Sequence, residues 1–487
     1  MTDSDEGRPE LDPKVAGQVS VIEDAFEAEG IYIQTVHDPV DRGVDFMHEK
    51  GVILIRDEDV ERVWDTVRRP EDDRPLREWW REEVERVIKG VVLLSLARTQ
   101  YPDEGPEQGE GPEQGEGTGQ GEGTGQGEGT GQGEGRENGE GHASGVVRAL
   151  TEIDRQHGAG VATPNHVLTV APVGPCPATE PGEVPDGIEP EPGICPCDDG
   201  GGVLVYVADT GLLKGAAQTH PWLRGVHGDE DKLTDPDDIP AYTGHGTFVA
   251  GVARCMAPRA DMYVANIFKI AGSELEANAI KRLSRALESG VDIFHLSITA
   301  STRHDLPLKT FEAWREQLRE HKGVVCVVAA GNSSSRKPFW PGAYPEMVSV
   351  GALAADLRSR ANFSNYGGWV DVYAPGRDLI NAYATGTYKC KDEPYKDQTR
   401  RFYGMARWSG TSFSTPVVTG LIAARMSRTG ENGQEAAAAL LAKARCQAIP
   451  GAGAILLPCD IGDDRHHRTD LCDHRHHCGH QHHCEGR

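Results

Sequence analysis

Apolar residues along this chain fall into short continuous runs separated by amphipathic stretches, and that alternation sets the predicted architecture. Val203 to Ala208, Met262 to Ile267, Val291 to Ser297, Val324 to Ala330 and Met347 to Leu353 read as strands. The run Val324-Val325-Cys326-Val327-Val328-Ala329-Ala330 is wholly apolar, as expected of a strand covered on both faces. Between these runs lie helical patterns. Leu275 to Ser289 puts Leu275, Ala279, Ile280, Leu283, Ala286 and Leu287 on one face and stops at Gly290. Pro307 to His321, the segment after Ser412 and Gln434 to Cys446 are helical too, and Gly420 allows close packing of the second. The predicted fold class over 202–457 is therefore α/β, a doubly wound and mostly parallel sheet, with sites expected at the carboxyl ends of its strands.

The first part of the chain reads differently. Residues 1–18 are polar and expected to be disordered. Strands are predicted at Gly30–Val36, Gly51–Ile55, Gly90–Leu96 and His166–Val170, with helices at Asp57–Val67, Pro75–Val87 and Val147–His157. This suits a small α+β domain over 19–170, interrupted at 103–141 by Gly/Glu/Gln repeats too poor in apolar groups to offset their ordering entropy. Residues 171–201 form a Pro/Gly-rich connector, and 458–487 a His/Cys-rich tail.

Composition narrows the partners. A formal net charge of -26 argues against nucleic acid and anionic membranes. No run approaches ~18 uninterrupted apolar residues, so no membrane span is predicted. The start, Met1-Thr2-Asp3-Ser4-Asp5-Glu6, shows no secretory signal, which sets a cytoplasmic expectation. Eleven cysteines are present; Cys255 and Cys326 lie in apolar runs as buried thiols, and most are read as reduced.

The chemistry gathers at two strand ends and two helix starts. Gly410-Thr411-Ser412-Phe413-Ser414-Thr415-Pro416 presents Ser412 in a helix's first turn, where unpaired N–H groups favour developing negative charge. Val207-Ala208-Asp209-Thr210-Gly211 ends a strand in a carboxylate; Gly244-His245-Gly246 opens an apolar helix; Ala329-Ala330-Gly331-Asn332 ends a buried strand in an amide. Singly, Ser412 is an ordinary cap, Asp209 a turn residue, His245 a satisfied histidine and Asn332 a left-handed turn residue. Together they offer nucleophile, base, orienting acid and oxyanion donor.

The order Asp, His, Ser with these surroundings resembles the subtilisin-like serine proteases. Asp-Thr-Gly, His-Gly-Thr-x-Val-Ala-Gly, Ala-Ala-Gly-Asn and Gly-Thr-Ser-x-Ser-x-Pro all stand intact between Val203 and Leu457, and Ala361 to Gly367 and Tyr373 to Gly376 match the family's surrounding loops. The resemblance implies a serine endopeptidase acting on protein or peptide substrates, with Asp209, His245 and Ser412 as triad and Asn332 in the oxyanion hole. It implies an extended substrate along Ser297 and Ile298, facing Ala330 and Gly331. Where the family usually reads Ser-Leu-Gly and another small residue, this chain has Ser297-Ile298-Thr299, and a narrowed groove or pocket is expected. Family members often carry an N-terminal α+β propeptide that chaperones and inhibits, and Thr163 to Val170 is similar to its cleft-entering end; an independent recognition domain is the competing reading. No cofactor is required. Calcium stays open, and zinc is possible at the tail through Cys472, Cys478, Cys484, His474 and His480. The alternative function is a catalytically masked or inactive binding protein of the same fold.

Overall fold

Seven strands lie side by side in the order Val372–Pro375, Val348–Leu353, Val325–Ala329, Ile293–Leu296, Leu204–Asp209, Asp261–Asn266 and His227–Gly228, and every neighbouring pair is parallel. This is a computed structural model, and it describes residues 13–38, 43–72, 74–102, 144–170, 180–391 and 394–461. Residues 1–12, the whole Gly/Glu/Gln tract at 103–141, 171–179 and the tail with Cys472, His474, Cys478, His480 and Cys484 lie outside them.

The period-two alternation of each strand sends side chains to both faces. Val205, Val207 and Val327 enter one apolar layer with helices His245–Met256 and Thr411–Thr429. Ala208, Phe294, Leu296, Cys326 and Val328 enter the other with helices Glu276–Leu287 and Lys309–Leu318. The sheet starts in its middle: Leu204–Asp209 is flanked by Asp261–Asn266 on one side and Ile293–Leu296 on the other. Chain order reverses there, so the loops leaving these strands splay apart and leave a crevice at their carboxyl ends.

A second, antiparallel sheet comes from the N-terminal part. Val44–Arg56 is its spine, paired with Ile33–His37, Val91–Ser95 and Ala162–Thr169; Val84–Ile88 closes one edge. Strands on both sides of the Gly/Glu/Gln tract thus share one sheet. Helices Val60–Val67 and Gly145–His157 cover one face, where Val63, Trp64, Leu150 and Ile153 are buried. On the other face Leu54, Val87 and Val91 join the apolar layer of helices Glu276–Leu287 and Lys309–Leu318. The two sheets are also stitched directly, because Ser273–Leu275 pairs antiparallel with Ala162–Thr169.

Three readings of the chain need correction. The helix expected over 75–87 is Leu76–Glu83, and Val84–Ile88 is a strand in a hairpin turning at Gly90, whose φ is +87°. The spacing of Val84, Val87 and Ile88 is that of a helical stripe, but these β-branched residues find a strand partner in Val91–Ser95. A helix, Pro13–Ala28, begins inside the stretch read as disordered, since Val15, Val19, Ile22 and Phe26 bury one stripe. Among the described cysteines, Cys195 and Cys197 form a disulfide across one proline, whereas Cys255, Cys326 and Cys390 are buried free thiols.

Before helix Thr411–Thr429, Leu379–Lys389 and Thr399–Trp408 form an antiparallel hairpin, and connector residues Gly182 and Glu191 pair with its Arg407 and Ile380. Among the described residues no helix is long and apolar enough to cross a membrane.

Candidate active site

Asp209 ends the central strand and is fully buried. Its Oδ1 accepts the Thr210 N–H at 2.8 Å and stands 2.7 Å from Nδ1 of His245. His245 opens helix His245–Met256, and its loop is drawn against the Asp209 turn by Thr210, whose Oγ accepts the Gly246 N–H at 3.1 Å. Only glycine permits this approach: a Cβ on Gly246 would lie 2.5 Å from the Gly211 carbonyl oxygen. The imidazole packs against Trp408 and Phe413, with ring centroids 5.4 and 5.1 Å away, and those two rings also touch each other at 5.1 Å. One edge is therefore fixed by the carboxylate and one side by a cluster of aromatic rings.

Thr411–Thr429 carries Ser412 as its second residue, next to Phe413. Among the described residues the Ser412 hydroxyl makes its hydrogen bond with the Val170 carbonyl, at 3.4 Å, and not with His245. Asn332 follows strand Val325–Ala329, and its Oδ1 accepts the Thr411 N–H at 2.7 Å and the Thr411 hydroxyl at 2.9 Å. The amide nitrogen of Asn332 lies beside the turn that precedes Ser412, 3.5 Å from where a Cβ on Gly410 would stand. The Gly331 N–H donates to Thr411 Oγ1 at 3.0 Å, which ties the two loops together.

Ala162–Thr169 delivers the chain into this crevice. Thr169 exchanges two backbone hydrogen bonds with Thr299, at 3.1 and 3.0 Å, and the Val170 N–H donates to the Gly272 carbonyl at 2.9 Å. Leu168 and Val167 are held on the other side by Glu274 and Leu275. An extended segment thus lies between two edges and ends at Ser412. Ser297 and Ile298 lie on one wall of that groove, and Ala330 and Gly331 on the facing loop; Ile298 is fully buried beneath the groove.

Several neighbours were not singled out by sequence. Asp231 is buried; its Oδ2 accepts the Thr210 hydroxyl at 3.0 Å and the Gly244 N–H at 2.7 Å. Burial, aided by repulsion from Asp209, pushes its carboxyl up to about 6. Asn365 is fully buried and pins the oxyanion loop: its side chain donates to the Ala330 carbonyl at 2.9 Å and accepts from the Ser333 and Ser335 N–H groups. His295 lies under Ser297, bonded to the hydroxyls of Thr419 at 2.9 Å and Ser297 at 2.8 Å, and burial pushes it down to about 3. Asp231 stands in no motif, so nothing flagged it. Asn365 belongs to the Ala361–Gly367 stretch, whose likeness to a family loop was a usable signal.

Among the described residues, Cys195, Cys197 and Asp199 bring possible metal-ligand atoms within 4.8 Å of one another. The two sulfurs are bonded to each other, and thiolates are what bind metals, so this set does not fit an ion.

A family model described as the subtilase family matches residues 200–458. The chain is similar to an intracellular serine protease of Paenibacillus polymyxa, 31% identical over 262 residues that cover 50% of this chain and 72% of that protein. Thermitase of Thermoactinomyces vulgaris is 29% identical over 249 residues, covering 48% and 79%. A thermophilic serine proteinase of Bacillus sp. (strain AK1) is 33% identical over 251 residues, 48% of this chain and 54% of that protein, so the match spans about half of that relative's length. Among solved structures, a cold adapted subtilisin-like serine proteinase is 21% identical with a TM-score of 0.41, over 60% of this chain and 99% of that one.

Proposed function

The chain belongs to the subtilase family and is a serine endopeptidase, and on that footing we propose that Asp209, His245 and Ser412 are its catalytic triad, with Asn332 as an oxyanion donor and the N-terminal domain as a tethered inhibitor. The observation that carries the reading is the Asp209–His245 pair, 2.7 Å apart and buried, beside a serine at a helix N-terminus.

In this reading Ser412 attacks the peptide carbonyl while Nε2 of His245 takes its proton, the nitrogen left free once Nδ1 faces Asp209. Asp209 fixes the tautomer and stabilises the imidazolium. The oxygen that becomes anionic is held by the Ser412 backbone N–H and the Asn332 side chain. Collapse of the tetrahedral intermediate expels the amine, which receives the proton from His245; water then hydrolyses the acyl-enzyme by the same route in reverse. The Ser412 hydroxyl meets the Val170 carbonyl instead of His245, which suits a cleft filled by the chain's own segment. An extended strand pairing with both edges is how a peptide substrate would be gripped, and the 167–170 segment uses those same edges.

The test is a set of variants assayed on one peptide. Ser412→Ala, His245→Ala and the double variant should each lower kcat by about 10⁶, because the groups act as a unit. Losses that multiply in the double variant would contradict the triad. Asn332→Ala should lower kcat by about 10²–10³ with little change in KM.

A further inference from the structure

We infer that Thr299 and Phe339 fill the pocket beside the reacting carbonyl, so that this peptidase takes substrates with a small residue, glycine, alanine or serine, on the acyl side of the bond it cuts. The inference rests on the endopeptidase reading above and specifies the substrate class of the same site.

The register of the bound segment locates the pocket. Thr169 pairs antiparallel with Thr299 through both of its backbone groups. Two residues further along the same pairing, an extended substrate sets its next in-register residue against Ser297. There it also lies alongside Asn332 and Ser412, one step past the position held by Val170. The crevice into which that residue's side chain would go lies between two loops. One leaves strand Ile293–Leu296 through Ser297 and Thr299, and the other leaves strand Val325–Ala329 through Ala330 and Gly331. These strands are adjacent and parallel, so the loops face each other across a narrow gap.

Two side chains close that gap. A Cβ placed on Gly331 would lie 3.3 Å from the Thr299 methyl carbon and 3.4 Å from Cδ1 of Phe339. The Thr299 side chain therefore reaches across the crevice to the opposite wall. Phe339 lies further along the connection that begins with Ala330 and Gly331, and it is fixed in place because its neighbour Trp340 exchanges two backbone hydrogen bonds with Ala300, at 2.8 and 3.0 Å. Gly331 itself has a φ of +96°, so this wall keeps its shape. With threonine at one side and a phenyl ring at the other, the volume a large aliphatic or aromatic substrate side chain needs is occupied by the enzyme. A packed wall admits extra carbons only by displacing its own side chains, which disfavours a large substrate residue.

The experiment compares two peptides, Leu-Thr-Val-Ala-Ser-Ser and Leu-Thr-Val-Phe-Ser-Ser, on the full chain carrying Leu168→Asp to loosen its own segment from the cleft. Cleavage sites are read by mass spectrometry, and kcat/KM is read from initial rates. The expected result is cleavage after Ala, favoured over cleavage after Phe by about 100-fold or more, a size discrimination in the upper part of what one pocket supplies. The double variant Thr299→Gly, Phe339→Ala, made in the same background, should narrow or reverse that ratio. A Leu168→Asp chain that cuts after Phe as well as after Ala overturns the pocket inference and leaves the peptidase reading standing. A chain that cuts neither peptide contradicts the peptidase reading itself, and the inference falls with it. Should the double variant fail to fold, the Ala-to-Phe ratio of the Leu168→Asp chain decides alone.

Discussion

The site is assembled from residues whose neighbours leave them few alternatives. His245 has its Nδ1 on Asp209 and its ring packed against Trp408 and Phe413. Asn332 has its oxygen doubly engaged by Thr411, which leaves its amide nitrogen beside Gly410, as the proposed oxyanion role requires. These side chains were legible because their chemistry demands particular residue types next to particular glycines. Asp231 and Phe339 were not legible, because a lone carboxylate or a lone phenyl in a loop acquires meaning only from what it touches. Asp231 supports a prediction at this scale. Its carboxyl is raised from the ordinary 3.8 to about 6, chiefly by burial. A raised acid binds more protons in the folded state, so its favourable contribution is complete below pH 4 and is lost as pH rises through about 6. Asp231→Asn, which cannot ionise, should therefore flatten the fall in unfolding free energy between pH 4.5 and 7, measured by urea denaturation. A slope equal to that of the parent chain would show that Asp231 titrates normally.

Elements set how closely the catalytic parts approach. Helices His245–Met256 and Thr411–Thr429 carry the histidine and the serine, and they touch at Gly420. A Cβ there would lie 2.5 Å from Cβ of Met256 and 2.6 Å from the Ala253 carbonyl oxygen. The glycine was readable as a packing residue, but its partner helix was not, since nothing local specifies what a buried helix packs on. Gly420→Val should destabilise the chain by about 3 kcal/mol through overpacking, more than any gain from replacing a helical glycine returns. Thermal unfolding checks this; an unchanged midpoint would mean the helices stand further apart. The helix–strand switch at Glu83 and Val84 escaped sequence reading for a related reason. The spacing of Val84, Val87 and Ile88 reads as a helical stripe, and the strand is chosen instead by its pairing with Val91–Ser95.

At the scale of the whole molecule, the two sheets are joined by the pairing of Ser273–Leu275 with Ala162–Thr169 and by a shared apolar layer. Charge pairs such as Arg303–Asp154, 2.6 Å apart, also cross the boundary. The parallel sheet was legible from its alternation of apolar runs and amphipathic helices. That the N-terminal domain lies across the crevice depends on pairings between residues more than a hundred positions apart, which local pattern does not encode. Leu168 is fully buried at that junction. Leu168→Asp places a charge there and should raise the full chain's peptidase rate by at least about tenfold, because a buried unpaired charge favours the opened state. A lower or unchanged rate in a folded variant would argue that the segment does not block the cleft.

The most direct test of the central claim, that Ser412 is a nucleophile activated by His245 and Asp209, is covalent labelling of the Leu168→Asp chain by a fluorophosphonate, located by peptide mass spectrometry. The account predicts one adduct, on Ser412, absent in Ser412→Ala and formed at least about 10³ times more slowly in His245→Ala. A folded Leu168→Asp chain that takes no label at Ser412, or takes it equally fast without His245, would contradict it.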